Sequence, residues 1–330
     1  MKCRLIVGCG YVGMEVANTW LANGDRVVAV TRSATRGAEL RHSGIIPLIW
    51  NWLEDPNEAF LRDWREHAIA ESIATVLISV SHAPNAGVPH EESHTLGLER
   101  LRRLLAGGET PVGALSKERV RWIYLSTTGV MSGVNDGSWI DEQAPMQPQR
   151  PGPLAAAAAE DWISRNVPVG DFVLLRPAGI YGPGRLPNWQ AIRDKTPLAS
   201  DPESYLNLIH VRDLADTVVY FGDHQPQHSL YCVSDGNPTP RRDYYQFIAE
   251  LGGFPDPRFA SSDLSAPVAA VIPSAEPRAK PPRSSDNKRI DSRRLRSELP
   301  FRFRFEDYRS GLQDGLPFPK VASSQKQRSK

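Results

Sequence analysis

The chain has 330 residues, a formal net charge of +1, and 40% hydrophobic and 23% charged residues. That balance suits a folded domain and carries no electrostatic footprint for nucleic acid or an anionic membrane. Three scattered cysteines, Cys3, Cys9 and Cys232, argue against a disulfide framework and against a metal site. No apolar run reaches the roughly 18 residues of a membrane span. The first strand begins at once and leaves no room for a signal peptide, so a cytoplasmic protein is expected.

The apolar run Leu5-Ile6-Val7 predicts a strand. It ends in Gly8, and Gly8, Gly10 and Gly13 stand at Gly-x-Gly-x-x-Gly spacing. Val12, Val16, Trp20 and Leu21 then recur with helical period. Strand, tight turn and helix in this order is the context in which such glycines cradle a dinucleotide. Gly8 permits the turn, Gly10 lets a pyrophosphate approach, and Gly13 lets the helix pack on the strand. The helix start at Tyr11 and Val12 turns its N–H groups toward the phosphates.

The second strand, Arg26–Thr31, runs into Thr31-Arg32-Ser33, with Arg36 one turn later. A fold selective for NAD usually places a carboxylate here for the ribose 2′-OH. The first carboxylate in this chain is Glu39. A cation flanked by hydroxyls suits a 2′-phosphate, so NADP(H) is expected over NAD(H), with Thr31, Arg32, Ser33 and Arg36 as contacts. A third strand over 45–50 delivers Asn51 and Trp52 to the adenine side. A helix over 57–70 precedes a fourth strand over 74–80. This brings Ser79, Val80, Ser81 and His82 to the carboxyl edge of a parallel sheet, where ligands bind in such folds. His82 stays open between a ligand contact and a partly exposed loop histidine. A leucine-striped helix over 93–105 and a fifth strand over 120–125 follow.

From the fifth strand onward a series of motifs appears in order. They are Leu125-Ser126-Thr127-Thr128-Gly129-Val130, Leu175-Arg176-Pro177-Ala178-Gly179-Ile180-Tyr181-Gly182, Ile209-His210-Val211-Arg212-Asp213-Leu214-Ala215 and Tyr231-Cys232-Val233-Ser234-Asp235. With the glycine turn they resemble the extended short-chain dehydrogenase/reductase family, also called the NAD-dependent epimerase/dehydratase family. The resemblance implies an α/β fold, a Rossmann-type doubly wound parallel sheet with a small C-terminal substrate lobe. The cofactor domain would span 1–182 with sheet-completing returns around 205–235, the lobe 183–318, and a disordered tail 319–330. It also implies a homodimer, and a hydrogen bond from Thr127 to the substrate's carbinol oxygen. Pro177 would line the nicotinamide side, and Arg185 would meet a phosphate or a substrate anion. His210 is open between substrate contact and a structural role at the sheet–helix junction.

The family's Tyr-x-x-x-Lys pair is missing. Registered on Glu160, the helix over 152–164 has Gly152 and Ala156 at those two positions. An alanine-rich helix still folds well, so the cofactor cradle is expected to survive while the proton-transfer pair does not. The nearest proton donors left are Tyr181, His82 and His210. Two functions stay open. One is an NADP(H)-dependent oxidoreductase or epimerase-like enzyme on a small hydroxylated or carbonyl compound, with non-standard catalytic residues. The other is a redox-inactive NADP(H) sensor. Later in the chain, the aromatic stripe over 243–251 reads as core, and the Pro-, Ser- and Ala-rich stretch 261–286 as a long surface loop. Asn287-Lys288-Arg289 leads into a last helix. Its basic residues read as a solvated face, with a substrate phosphate as the alternative.

Overall fold

β1 (Cys3–Val7) is buried along its whole length, as a parallel strand covered on both faces must be. Gly8 turns the chain into α1 (Tyr11–Ala22), which leads to β2 (Arg26–Thr31), parallel to β1. α2 (Ala34–His42), β3 (Ile46–Ile49), α3 (Glu58–Glu66), the single turn α4 (Ile69–Ser72), β4 (Ile73–Ile78), α5 (Glu92–Leu105) and β5 (Arg121–Leu125) continue the alternation. A 3-10 turn, Thr128–Val130, precedes β6 (Trp139–Ile140), α6 (Pro151–Asn166) and β7 (Phe172–Pro177). β8 (Gly179–Tyr181), α7 (Trp189–Arg193), β9 (Tyr205–Leu206), β10 (Leu208–His210), α8 (Val211–Asp223) and β11 (Leu230–Val233) follow. The structure, a computed structural model, describes residues 1–67, 69–81, 88–89, 91–106, 119–260 and 286–314. His82, most of the 261–286 stretch and the tail 319–330 lie outside the described residues.

Seven strands form one parallel sheet in the order β3-β2-β1-β4-β5-β7-β11. The order reverses between β1 and β4, which opens a crevice at the carboxyl ends of those strands. The period of two sends alternate side chains into two cores. Leu5 and Val7 enter one, with Leu98 and Leu101 of α5 and Ala159 and Ile163 of α6. Ile6 enters the other, with Val16 and Trp20 of α1 and Val218 and Phe221 of α8. The alanines of α6 serve this packing: Ala155, Ala156 and Ala159 are all buried. The helix expected over 57–70 is two pieces, because His67 caps α3 by donating its N–H to the carbonyls of Asp63 and Arg65.

A third core lies off the main sheet. Tyr181, Trp189, Tyr244, Tyr245, Tyr308 and Leu312 build it, from β8, α7, α9 (Arg241–Gly252) and α11 (Tyr308–Asp314). β12 (Thr239–Pro240) pairs with β9. β13 (Arg289–Ile290) returns to pair with β6 and leads to α10 (Arg293–Glu298). Among the described residues no helix is long and apolar enough to cross a membrane. None of their His, Cys, Asp and Glu side chains form a group of three or more that could hold a metal ion.

Candidate cofactor and substrate site

The glycine turn is held by the end of β4. Gly8 has φ +89°, and a Cβ there would lie 2.8 Å from the Val80 nitrogen. Its carbonyl accepts from Ser79 Oγ (2.7 Å) and from the Gly10 N–H (2.9 Å). A Cβ built on Gly13 would lie 3.0 Å from the same carbonyl oxygen, so α1 sits tight on the strand. Gly10 is the opposite case: among the described residues nothing lies within 4 Å of a Cβ built on it. It caps α1 without a side-chain hydrogen bond, and the first turn of α1 carries no acid. The open side of Gly10 and the unpartnered N–H end of α1 fit a dinucleotide's pyrophosphate.

A cavity of about 300 Å³ opens beside this turn, over the carboxyl ends of β1, β2 and β4. The structure brings ten of the expected cofactor residues to its lining. Gly8 and Gly10 supply one wall, Thr31, Arg32 and Arg36 a second, Asn51 and Trp52 a third, and Ser79, Val80 and Ser81 a fourth. Arg36 Nη2 donates to the Cys9 carbonyl (3.2 Å) and Nη1 pairs with Glu39 at 2.6 Å. Arg32 is exposed at the rim.

Four expected contacts do other work. Ser33 caps α2, its Oγ accepting from the Arg36 N–H (3.3 Å), and does not line the cavity. Val12 is buried in the α1–α8 core, Gly13 is spent on helix–strand packing, and Pro177 is buried at the end of β7. Tyr11 stands at the first position of α1 with the Arg185 guanidinium 5.6 Å from its ring. Burial pushes its phenol up to about 12, with Arg185 pulling the other way. Two expectations thus meet at the N-terminus of α1, where Arg185 adds positive charge.

Sequence reasoning missed Ser93 and His94, which line the cavity from α5. His94 Nδ1 lies 2.8 Å from Tyr124 OH, and its ring is 5.9 Å from that of Trp52. The Trp52 ring lies on Gly97, where a Cβ would come within 2.2 Å of it. The signal was present in the two polar residues on the buried face of a leucine-striped helix.

At the end of β5, Ser126 donates to Glu160, which is 3% exposed. Glu160 also accepts from Arg176 of β7, with Nη2 at 2.7 Å. Thr127 is half-buried, and its Oγ1 accepts from the Gly129 N–H at 3.0 Å. Among the described residues this hydroxyl donates to no acceptor, which leaves its proton for a ligand oxygen. Ala156 is buried against Val130 and Cys232, and Gly152 is half-buried at the start of α6. Lys288, read from sequence as part of a solvated face, is 6% exposed. It donates to the carbonyls of Met131 (2.6 Å) and Thr128 (3.0 Å), tying the C-terminal segment to this turn.

Two of the three remaining proton donors, Tyr181 and His210, are placed away from the cavity. Tyr181 is fully buried and donates to the Asp307 carbonyl at 3.3 Å. His210 caps α8, its Nδ1 accepting from the Arg212 N–H (3.3 Å), with Nε2 3.4 Å from Asp314. The two rings meet edge-on at 5.2 Å, and neither lines the cavity. His210 thus stands at the junction of β10 and α8.

Burial pushes the His210 imidazole down to about 4 from an ordinary 6.5, with Asp314 opposing. The folded protein thus keeps this ring neutral where the unfolded chain would protonate it. The stability this confers is complete above pH 6.5 and is lost as pH falls toward 4. His210→Asn keeps a capping acceptor but does not titrate. The stability gap between wild type and His210→Asn, followed by urea midpoints, should narrow across that window. A constant gap would refute the neutral-ring assignment.

The parallel sheet, the glycine turn and the crevice define a nucleotide-binding Rossmann-type protein. More narrowly, the model of the NAD dependent epimerase/dehydratase family matches residues 5–233, and the chain belongs to that family. It is similar to protein YeeZ of Escherichia coli K12, 26% identical over 315 residues, which cover 93% of this chain and 97% of that one. It is also similar to a 4-hydroxy-2-methyl-3-oxo-4-farnesyl-3,4-dihydroquinoline-1-oxide ketoreductase of Stigmatella aurantiaca, 26% identical over 265 residues, 77% of this chain and 74% of that one. A functionally unknown conserved protein from Silicibacter pomeroyi superposes with TM-score 0.69 at 27% identity, covering 95% of this chain and 97% of that one. The dTDP-glucose 4,6-dehydratase of Bacillus anthracis, solved with NAD, gives TM-score 0.69 at 14% identity, with 96% and 95% covered, and shares the fold.

Proposed function

We propose that the chain is an NADP(H)-dependent oxidoreductase or epimerase-like enzyme acting on a small hydroxylated or carbonyl compound, with non-standard catalytic residues. The observation that carries the cofactor choice is the wall formed by Thr31, Arg32 and Arg36. The first carboxylate after β2, Glu39, is drawn into an ion pair with Arg36 and does not line the cavity. A guanidinium fork there suits a 2′-phosphate and offers little to a bare 2′-hydroxyl. The nicotinamide, when bound, supplies or accepts a hydride. Thr127 would hold the substrate oxygen through its free hydroxyl proton. The similarity to a ketoreductase supports a carbonyl substrate.

NADPH should bind more tightly than NADH in a nicotinamide-fluorescence titration. The Arg32→Ala/Arg36→Ala double variant should lose roughly tenfold to a hundredfold in NADPH affinity, the worth of one charge-assisted contact, and leave NADH unchanged. Equal, weak binding of both nucleotides by the wild type overturns the cofactor assignment. A second reading, a redox-inactive NADP(H) sensor, draws on Gly152 and Ala156 in place of a tyrosine and a lysine. NADPH oxidation over a panel of aldehydes and ketones separates the two. Turnover lost in Thr127→Ala supports the enzyme, and NADPH binding with no turnover on any of them supports the sensor.

A further inference from the structure

Positive charge gathers around the turn that carries Thr127. Arg150 immediately precedes α6, and its guanidinium lies against this turn. A Cβ built on Gly129 would come within 3.3 Å of both Arg150 Nη2 and Thr127 Oγ1. The two groups therefore flank the same glycine, with Pro153 Cγ 2.9 Å from that point. Lys288 reaches the turn through its bonds to the Thr128 and Met131 carbonyls.

Arg150 is half-buried, and its Nε is shut off from solvent without a hydrogen-bond partner. Among the described residues no carboxylate pairs with it. The two fully buried arginines among the described residues are treated differently. Arg4 meets Asp25 and Asp223, and Arg176 meets Glu160. A half-desolvated guanidinium with no acceptor is costly, and a second cation nearby adds repulsion. Lys288 registers that repulsion. Burial lowers its ammonium pKa, Asp286 opposes the shift, and the charge of Arg150 adds to the lowering. An oxyanion set into the guanidinium fork would offset both penalties.

We propose that Arg150 is the anion-binding residue of the substrate site, holding a carboxylate or phosphate group of a substrate whose carbonyl or hydroxyl oxygen lies on Thr127. This rests on the reading of Thr127 as part of an NADP(H)-linked site, and it narrows the substrate to an oxyanion-bearing compound.

Oxalate and inorganic phosphate serve as probes, titrated by thermal shift on the full chain, both free and saturated with NADPH. Saturation fills the cofactor's own phosphate contacts, so the remaining response reports a separate anion site. The variants are Arg150→Ala, Arg150→Lys and Arg242→Ala, the last an exposed arginine paired with Glu203. One anion or both should stabilise the wild type and Arg242→Ala alike. Arg150→Ala should weaken that binding about tenfold or more, and Arg150→Lys should retain part of it. The preferred probe tells carboxylate from phosphate. If neither anion stabilises the NADPH-loaded wild type, or Arg150→Ala responds as the wild type does, the inference is overturned. Should Arg150→Ala fail to fold, Arg150→Lys decides, because it keeps the charge and removes the fork. Failure of NADPH to bind, with Arg150-dependent anion binding intact in the free protein, removes the cofactor reading and leaves the anion site standing.

Discussion

Glu160→Ala should destabilise the protein by about 3–5 kcal/mol, the range for breaking a buried ion pair from one side. Glu160 and Arg176 have side chains only 4% exposed, and they join α6 to β7 through Nε at 3.0 Å and Nη2 at 2.7 Å. Arg176 Nη1 already lacks a partner. Removing the carboxylate would strand the whole guanidinium in the core and leave Ser126 without its acceptor. The pair is expensive to break rather than intrinsically strong, since desolvation consumes most of its attraction. The double variant Glu160→Leu/Arg176→Met should therefore recover most of the loss. Urea unfolding with an unchanged slope measures both. A loss below about 1 kcal/mol for Glu160→Ala would mean that water reaches the pair. The variant also bears on the site, because Ser126 precedes Thr127. Turnover should fall with stability, while NADPH affinity at the far end of the crevice should hold.

The glycine turn and β2 were legible because their determinants are local. Strand, glycine spacing and helix period all lie within residues 3–31, and β2 has the bounds that its apolar run indicates. Ser33 shows how a local signal can be assigned to the wrong task. A serine just before a helix is a favoured N-cap, and here its hydroxyl is used by Arg36 N–H rather than facing the cavity. Tyr181 and His210 were placed by motif, but residues 305–314 decide their surroundings. The Phe305 ring lies 3.8 Å from that of His210, and the Tyr181 hydroxyl bonds the Asp307 carbonyl. No periodicity in residues 181–210 announces that cover. The Arg150 and Lys288 arrangement was equally hidden. Lys288 bonds the Met131 carbonyl across 157 positions of sequence. A lysine in a basic stretch reads as solvated until the fold brings a carbonyl-lined turn to it. The loss of Tyr and Lys was plain in the sequence, whereas how Gly152 and Ala156 pack required the fold.

Gly8→Ala and Gly10→Ala should fail in different ways. At Gly8 the backbone has φ +89°, where an L-residue costs about 1–2 kcal/mol by itself. The added methyl would also lie 2.8 Å from the Val80 nitrogen and 2.9 Å from the Ser79 carbonyl carbon. Both are main chain, so relief demands moving the end of β4. That end is fixed by the Ser79 N–H donating to the Val7 carbonyl (2.9 Å) and by Ser79 Oγ donating to the Gly8 carbonyl (2.7 Å). Gly8→Ala should lose stability and NADPH binding together. At Gly10 no described residue lies within 4 Å of the new methyl and φ is −94°, so the folding cost should stay well below that of Gly8→Ala. The methyl would instead occupy the side from which a pyrophosphate approaches the N–H groups of α1. NADPH affinity should fall roughly tenfold to a hundredfold, the worth of one charge-assisted hydrogen bond to the phosphates. Urea midpoints and fluorescence titrations on the two variants separate the glycine that shapes the turn from the glycine that faces the ligand. Wild-type NADPH binding by Gly10→Ala would show that the cofactor does not cross the turn on this side.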